Sequence, residues 1–290
     1  MADKDRILVL GSASWLGSLF LDKISAQKFE ITATYFNTYL KFQEPVNLVE
    51  SKLIKDYSVF LEEIQPKIIV NFLRSDNSKE LAIHEHIVHY CKNNKDCHYL
   101  FSSSVLALDG HKEVPLTEDL LASSTSEYGI FKEKCERLLY DVSFNWSILR
   151  FSSLQGFCRH KIIRNEMFLR QLHSGENIRV DQKVFQNRLF ANDAVEIIFR
   201  IIKYKLTGII HIGATDCSDE IDFLRKQAAL FGYDQGRVMS KNYVRNANLN
   251  CIPHKIFKIY NDSKFFNEAD TLSKVSKINA YQKLRFSNGH

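Results

Sequence analysis

Strand-like and helix-like patterns alternate without interruption from Arg6 to Arg150, and this alternation limits the fold more than any other feature of the chain. Arg6-Ile-Leu-Val-Leu10 is a continuous apolar run that stops at Gly11, the pattern of a strand buried on both faces. Between Trp15 and Ala26, Leu16, Leu19, Phe20 and Ile24 recur at helical spacing. Phe29 to Tyr35 is rich in β-branched and aromatic residues and reads as a second strand. Tyr57 to Ile64 predicts a helix stopped before Pro66, and Lys67 to Phe72 a third strand. Leu81 to Lys92 predicts a helix, Tyr99 to Ser103 a fourth strand, Ser126 to Asp141 a long helix, and Trp146 to Arg150 a fifth strand. Strands joined in this way by helices predict a doubly wound α/β fold: a parallel sheet covered on both faces, with right-handed crossovers.

Beyond Arg150 the rhythm loosens. Helices are expected over Ile162 to His173, Asp193 to Lys203 and Asp219 to Phe231, the last ended by Gly232. Lys183 to Phe190 reads as a short strand, and Gly208 to Ile212 as one more strand of the main sheet. The last sixty or so residues are rich in lysine and asparagine and carry less pattern. A formal charge of +5 is too mild for the basic stripe of a nucleic-acid binder. No apolar run approaches the roughly 18 residues of a membrane span. The N-terminus enters a strand directly, so no signal peptide is expected, and six scattered cysteines without a Cys-x-x-Cys pair suit the cytoplasm.

Two segments carry chemistry. Gly11-Ser12-Ala13-Ser14-Trp15-Leu16-Gly17 lies between the first strand and the first helix, where backbone approach and the helix N-terminus suit a dinucleotide pyrophosphate. Ser14 stands where such loops usually have a middle glycine. Strand two ends Ala33-Thr34-Tyr35-Phe36-Asn37 without the acid that grips the ribose of NAD, and Lys41 is the nearest base, so the expected cofactor is NADP, with NAD as the alternative. The second segment runs from Phe101 to Glu136. Ser104 ends an apolar strand, and Tyr128 and Lys132, four residues apart, share one face of the next helix. An ammonium beside a phenol favours the phenolate, and a nearby hydroxyl can hold the same substrate oxygen. Ser104, Tyr128 and Lys132 therefore suit an alcohol–ketone interconversion with hydride from a nicotinamide cofactor. A second Tyr-x-x-x-Lys, Tyr260 to Lys264, has no serine-ended strand before it and is read as surface. His84, His86 and His89 are read as a solvated helix face rather than a metal site, and Phe265-Phe266 as packing.

Together the glycine loop, the triple-serine strand end, Tyr128-x-x-x-Lys132, Ser147-Ile-Leu-Arg150 and Asn192-Asp193-Ala194 resemble an extended short-chain dehydrogenase/reductase. Asp109-Gly110 and Ala33-Thr34-Tyr35 are most similar to the dTDP-4-dehydrorhamnose reductase branch of the NAD-dependent epimerase/dehydratases. The resemblance covers about residues 6 to 235. It implies a Rossmann domain over residues 1–150, with 187–212 returning to it, and a smaller substrate-binding domain over 151–186 and 213–290. It also implies reduction of a 4-keto group on a nucleotide-linked deoxysugar. Tyr128 would be the proton donor, Lys132 would bind the nicotinamide ribose, Ser104 would hold the carbonyl, and Gly11 to Gly17 would take the pyrophosphate. A homodimer is open. So are an epimerase or dehydratase, and a non-catalytic NADP-binding regulatory subunit. The chain departs from the family after strand three, where Asn71-Phe72-Leu73-Arg74 replaces a small, alanine-rich segment, and the helical asparagine of the proton relay is missing, with Leu81 nearest.

Overall fold

A computed structural model describes residues 4–26, 28–74, 78–112, 115–181, 183–242, 247–260 and 266–278. The chain divides into two compact units: residues 1–107, 122–150 and 198–210 form the first, and 108–121, 151–197 and 211–290 the second.

The first unit is built on the main sheet. Its strands are β1 (Asp5–Leu10), β2 (Phe29–Tyr35), β3 (Asn47–Glu50), β4 (Ile68–Asn71), β5 (His98–Ser104), β6 (Asn145–Phe151) and a seventh, Gly208–Ile212. Their order across the sheet is Gly208–Ile212, β6, β5, β4, β1, β2, β3. β1 pairs in parallel with β2 and with β4, Ile7 lying opposite both Ile31 and Ile68. This central place explains the unbroken apolar run: Ile7 to Leu10 are all fully buried. The helices are α1 (Trp15–Lys23), α2 (Tyr57–Ile64), α3 (Ser78–Asn93) and α4 (Glu127–Arg137). Tyr57, Phe60, Ile87, Tyr99, Phe101, Phe131 and Ile148 share one apolar core.

In this unit three sequence expectations need correction. Strand β3 was not foreseen: it is a four-residue edge strand with no fully buried side chain, so it leaves little apolar signal. Helix α4 ends at Arg137 rather than Asp141. His84 Nε2 donates to the Cys135 carbonyl at 2.8 Å, and Leu139 N turns instead to Glu136 O at 2.9 Å, tightening the last turn. His84 itself is fully buried, not part of a solvated face, whereas His89 is exposed. A carbonyl only accepts, so Nε2 carries the proton and Nδ1 accepts from the Tyr99 hydroxyl at 2.5 Å. Burial pulls this imidazole down to about 4.

The second unit packs Phe168, Leu172, Phe223, Leu224, Val238 and Val275 into its own core. Here the expected strand over Lys183 to Phe190 is two strands, Val184–Gln186 and Arg188–Phe190. The break falls at Asn187, whose side chain donates to Ala214 O and Asp216 O at 3.0 Å and accepts from Cys251 N at 2.8 Å. The weakly patterned tail contains the helices His254–Ile259 and Glu268–Ser276. Phe266 is buried against Tyr260, with ring centroids 4.9 Å apart, while Lys264 and Phe265 lie outside the described residues. Among the described residues no helix is long and apolar enough to cross a membrane.

Candidate active site

In a doubly wound sheet, ligands bind beyond the carboxyl ends of the strands, where the strand order reverses. Here that point lies between β1 and β4. Gly11, just past β1, has φ of +81°, a conformation that favours glycine. A Cβ there would stand 3.1 Å from the Phe72 carbonyl, so the ends of β1 and β4 meet across this glycine. A Cβ at Gly17 would overlap the Gly11 carbonyl oxygen. Ser12 N donates to Thr34 O at 2.8 Å and Ser14 N to Gly11 O at 2.9 Å. Ser14 Oγ caps α1 by accepting from Gly17 N at 3.0 Å. The serine in the middle-glycine place thus satisfies one of the helix's first N–H groups. Ala13, Ser14, Trp15 and Leu16 are half-buried. The Ser12 hydroxyl is buried and has no hydrogen-bond partner among the described residues.

The second half of the site is the meeting of β5 with α4. Ser104 Oγ accepts from Leu106 N at 3.2 Å, which turns the chain sharply after the strand. Gly129 then packs on that turn: a Cβ there would overlap Leu106 O and Ser124 Oγ. Ser126 caps α4, its hydroxyl accepting from Gly129 N at 3.3 Å. The serine turn and the first turn of the tyrosine helix are therefore in direct contact, and Tyr128 is half-buried beside it.

Lys132, one turn further on, is sunk beneath α4. Its Nζ lies 3.2 Å from Glu80 Oε1 and 3.5 Å from Leu73 O, and both side chains of the ion pair are 1% exposed. Phe101, Phe131 and Tyr128 surround the ammonium, with ring centroids 4.9, 5.6 and 5.7 Å away. Glu80 was not foreseen. It sits next to Leu81, the position noted for its missing asparagine, and a lone acid in the first turn of a helix is an ordinary capping signal. Phe72, bulky in sequence, does not wall the site: its ring is 3% exposed and tilted against Phe20 at 5.6 Å. Arg74 is exposed, and its guanidinium carbon lies 5.9 Å from the Tyr128 ring centroid.

Below these groups a polar network fixes the scaffold. Asn71 donates to the Tyr99 hydroxyl at 2.9 Å and accepts from Leu73 N at 3.0 Å. Ser103, not Ser104, reaches Glu136 at 2.5 Å. A cavity of about 510 Å³, lined by Arg6, Lys67, Tyr90 and Lys95 among others, lies at the amino ends of the strands, opposite the glycine loop.

No protein-family profile matches the sequence, and neither does any curated protein sequence. Solved structures do match. The dTDP-glucose 4,6-dehydratase of Bacillus anthracis, in complex with NAD, is 15% identical over 96% of this chain and 97% of its own, with a TM-score of 0.78. The UDP-N-acetylglucosamine 4-epimerase of Methanobrevibacter ruminantium, in complex with UDP-N-acetylmuramic acid, is 16% identical over 97% and 100%, at 0.76. The dTDP-4-dehydrorhamnose reductase of Bacillus anthracis, in complex with NADP, is 14% identical over 94% and 99%, at 0.75. Identities this low with agreement this extensive establish the architecture: the chain has the Rossmann-type α/β fold of these nucleotide-sugar enzymes.

Proposed function

We propose that this protein is an NAD(P)H-dependent reductase of a nucleotide-linked 4-keto sugar, with Tyr128 as proton donor. The observation that carries the reading is the contact at Gly129, which sets the Ser104 turn against the first turn of the Tyr128 helix, in the same unit as the Gly11–Gly17 loop. The loop fits a dinucleotide. Its glycines leave no room for side chains, a helix N-terminus faces it, and a buried Ser12 hydroxyl awaits a partner. Residues 11–17 would hold the pyrophosphate, and the bound nicotinamide would supply hydride. Ser104 Oγ would hold the substrate carbonyl, and the Tyr128 phenol would pass its proton to the oxygen as that oxygen gains charge. Lys132, which the resemblance sets at the nicotinamide ribose, is buried against Glu80 in this chain. The absence of an acid at Tyr35 to Asn37 favours NADP over NAD. The fold is shared with dehydratases, epimerases and a reductase of nucleotide sugars, which supports the substrate class.

The test is NADPH consumption with a panel of nucleotide-linked 4-keto sugars. Wild type should consume cofactor and Tyr128→Phe should lose at least about a hundredfold in turnover. Unchanged turnover in Tyr128→Phe refutes the proton-donor role. Sugar conversion without net NADPH loss points instead to an epimerase or dehydratase, and cofactor binding without any turnover to a regulatory nucleotide-binding subunit.

A further inference from the structure

Two cations face the Tyr128 ring at nearly equal distance, and they differ in what neutralises them. Lys132 Nζ stands 5.7 Å from the ring centroid and the Arg74 guanidinium carbon 5.9 Å. Lys132 has a carboxylate 3.2 Å away, in a pair that is 1% exposed on both sides. The carboxylate offsets part of the Lys132 charge felt at the ring. Arg74 is exposed and has no carboxylate partner among the described residues. Its flat face suits an aromatic ring. It also follows directly on the β4 end that closes against Gly11, which puts it at the strand ends where the cofactor loop lies.

We infer that Arg74 is the positioning residue that supplies positive charge to Tyr128, and that Glu80 confines Lys132 to a structural role. The inference rests on the reading of Tyr128 as proton donor. In the reductive step the carbonyl carbon would gain a C–H bond with the hydride that the bound nicotinamide supplies, the phenol O–H bond would break as an O–H bond forms on the substrate oxygen, and the nearby Arg74 charge would offset that of the phenolate until solvent returns its proton. Arg74, the bulky departure from the small-residue segment, then replaces a charge that this chain has buried.

The test needs neither cofactor nor substrate. Tetranitromethane nitrates tyrosine through the phenolate, and mass spectrometry resolves the rate at each site. Tyr39 and Tyr204, 58% and 50% exposed, serve as internal references. Arg74→Met, which keeps bulk and removes charge, should slow nitration at Tyr128 about fivefold with the references unchanged. Arg74→Lys should restore the rate to within about twofold of wild type. The neutral, hydrogen-bonding pair Lys132→Gln with Glu80→Gln should leave it within about twofold as well. An unchanged Tyr128 rate in Arg74→Met overturns the inference, and so does a fivefold loss in the double variant. Should the double variant fail to fold, the two Arg74 variants still decide. A protein that reduces no keto sugar leaves this test standing, so the failure of the reductase reading and the failure of this inference are separate results.

Discussion

Helix α4 holds two buried ion pairs one turn apart, and they are built to different standards. Glu136 takes Arg150 through three contacts at 2.6, 3.1 and 3.2 Å, and also accepts from Ser103 at 2.5 Å and Tyr140 at 2.8 Å. Both side chains of that pair are fully buried. Lys132 has a single contact to Glu80, at 3.2 Å, and a long one to a carbonyl. Burying charge repays its desolvation only when the geometry is good and the remaining hydrogen-bonding capacity is used. By that measure Arg150–Glu136 clamps β6 to α4, and Lys132–Glu80 is the looser pair at the end nearer the glycine loop. On the proposed reading, the helical stripe Tyr128, Lys132 and Glu136 passes from chemistry to scaffold.

The strongest way to break this contrast is Glu136→Ala. It leaves a fully buried guanidinium uncompensated and should cost about 3–5 kcal/mol in urea unfolding. A loss near that of a surface pair would show that Arg150 finds other partners. Next in size is an effect of pH. Burial, against the opposing hydrogen bond to Cys135 O and with a smaller push from the Lys132 charge, holds His84 down at about 4. An unfolded imidazole takes its proton near 6.5, so below that pH the unfolded state binds more protons and stability falls as pH falls, until the folded group titrates too. Between pH 6.5 and 4 the expected loss from His84 is about 3 kcal/mol. His98, also held down at about 4 by burial, acts in the same direction. Unfolding curves across this range should be flatter for His84→Gln than for wild type; parallel curves would remove His84 from the account.

His84 also shows where the sequence stops being legible. The parallel sheet was readable because central strands such as β1 are apolar on both faces, and the Gly11 and Gly17 requirement was readable because backbone contact tolerates nothing else. Ser104, Tyr128 and Lys132 stood out by spacing and order, without any sign of what each would touch. The partners were not readable. His84 looks solvated in a run with His86 and His89, and only the fold brings it 51 residues along the chain to Cys135. Glu80 pairs with a lysine 52 residues away, and Ser103 with a glutamate 33 residues away. Local pattern carries the elements, whereas buried polar partners are long-range choices that leave no period behind.

A smaller change sharpens the weaker pair. Glu80→Gln keeps a hydrogen-bond acceptor for Lys132 but removes its counter-charge, and should cost about 3 kcal/mol in the same unfolding assay. Glu136→Gln, disturbing three contacts to Arg150 instead of one, should cost more. Equal losses would mean the two pairs differ in appearance only.

The smallest predicted effect separates two neighbours on one strand. Successive residues of β5 point to opposite sides of the sheet, so Ser103 and Ser104 cannot serve the same partner. Ser103 is buried and donates to Glu136, so Ser103→Ala removes one hydrogen bond to a charged group and should cost about 1–2 kcal/mol of stability. Ser104 is half-buried and accepts from Leu106 N at 3.2 Å, so Ser104→Ala should cost less than about 1 kcal/mol. Its loss should fall on keto-sugar turnover, where Ser103→Ala should leave the rate nearly intact. The measurement is a pair of unfolding curves beside a pair of NADPH time courses. If Ser104→Ala destabilises the protein more than Ser103→Ala does, the clamp lies on the wrong serine and the division of α4 into a chemical end and a structural end fails with it.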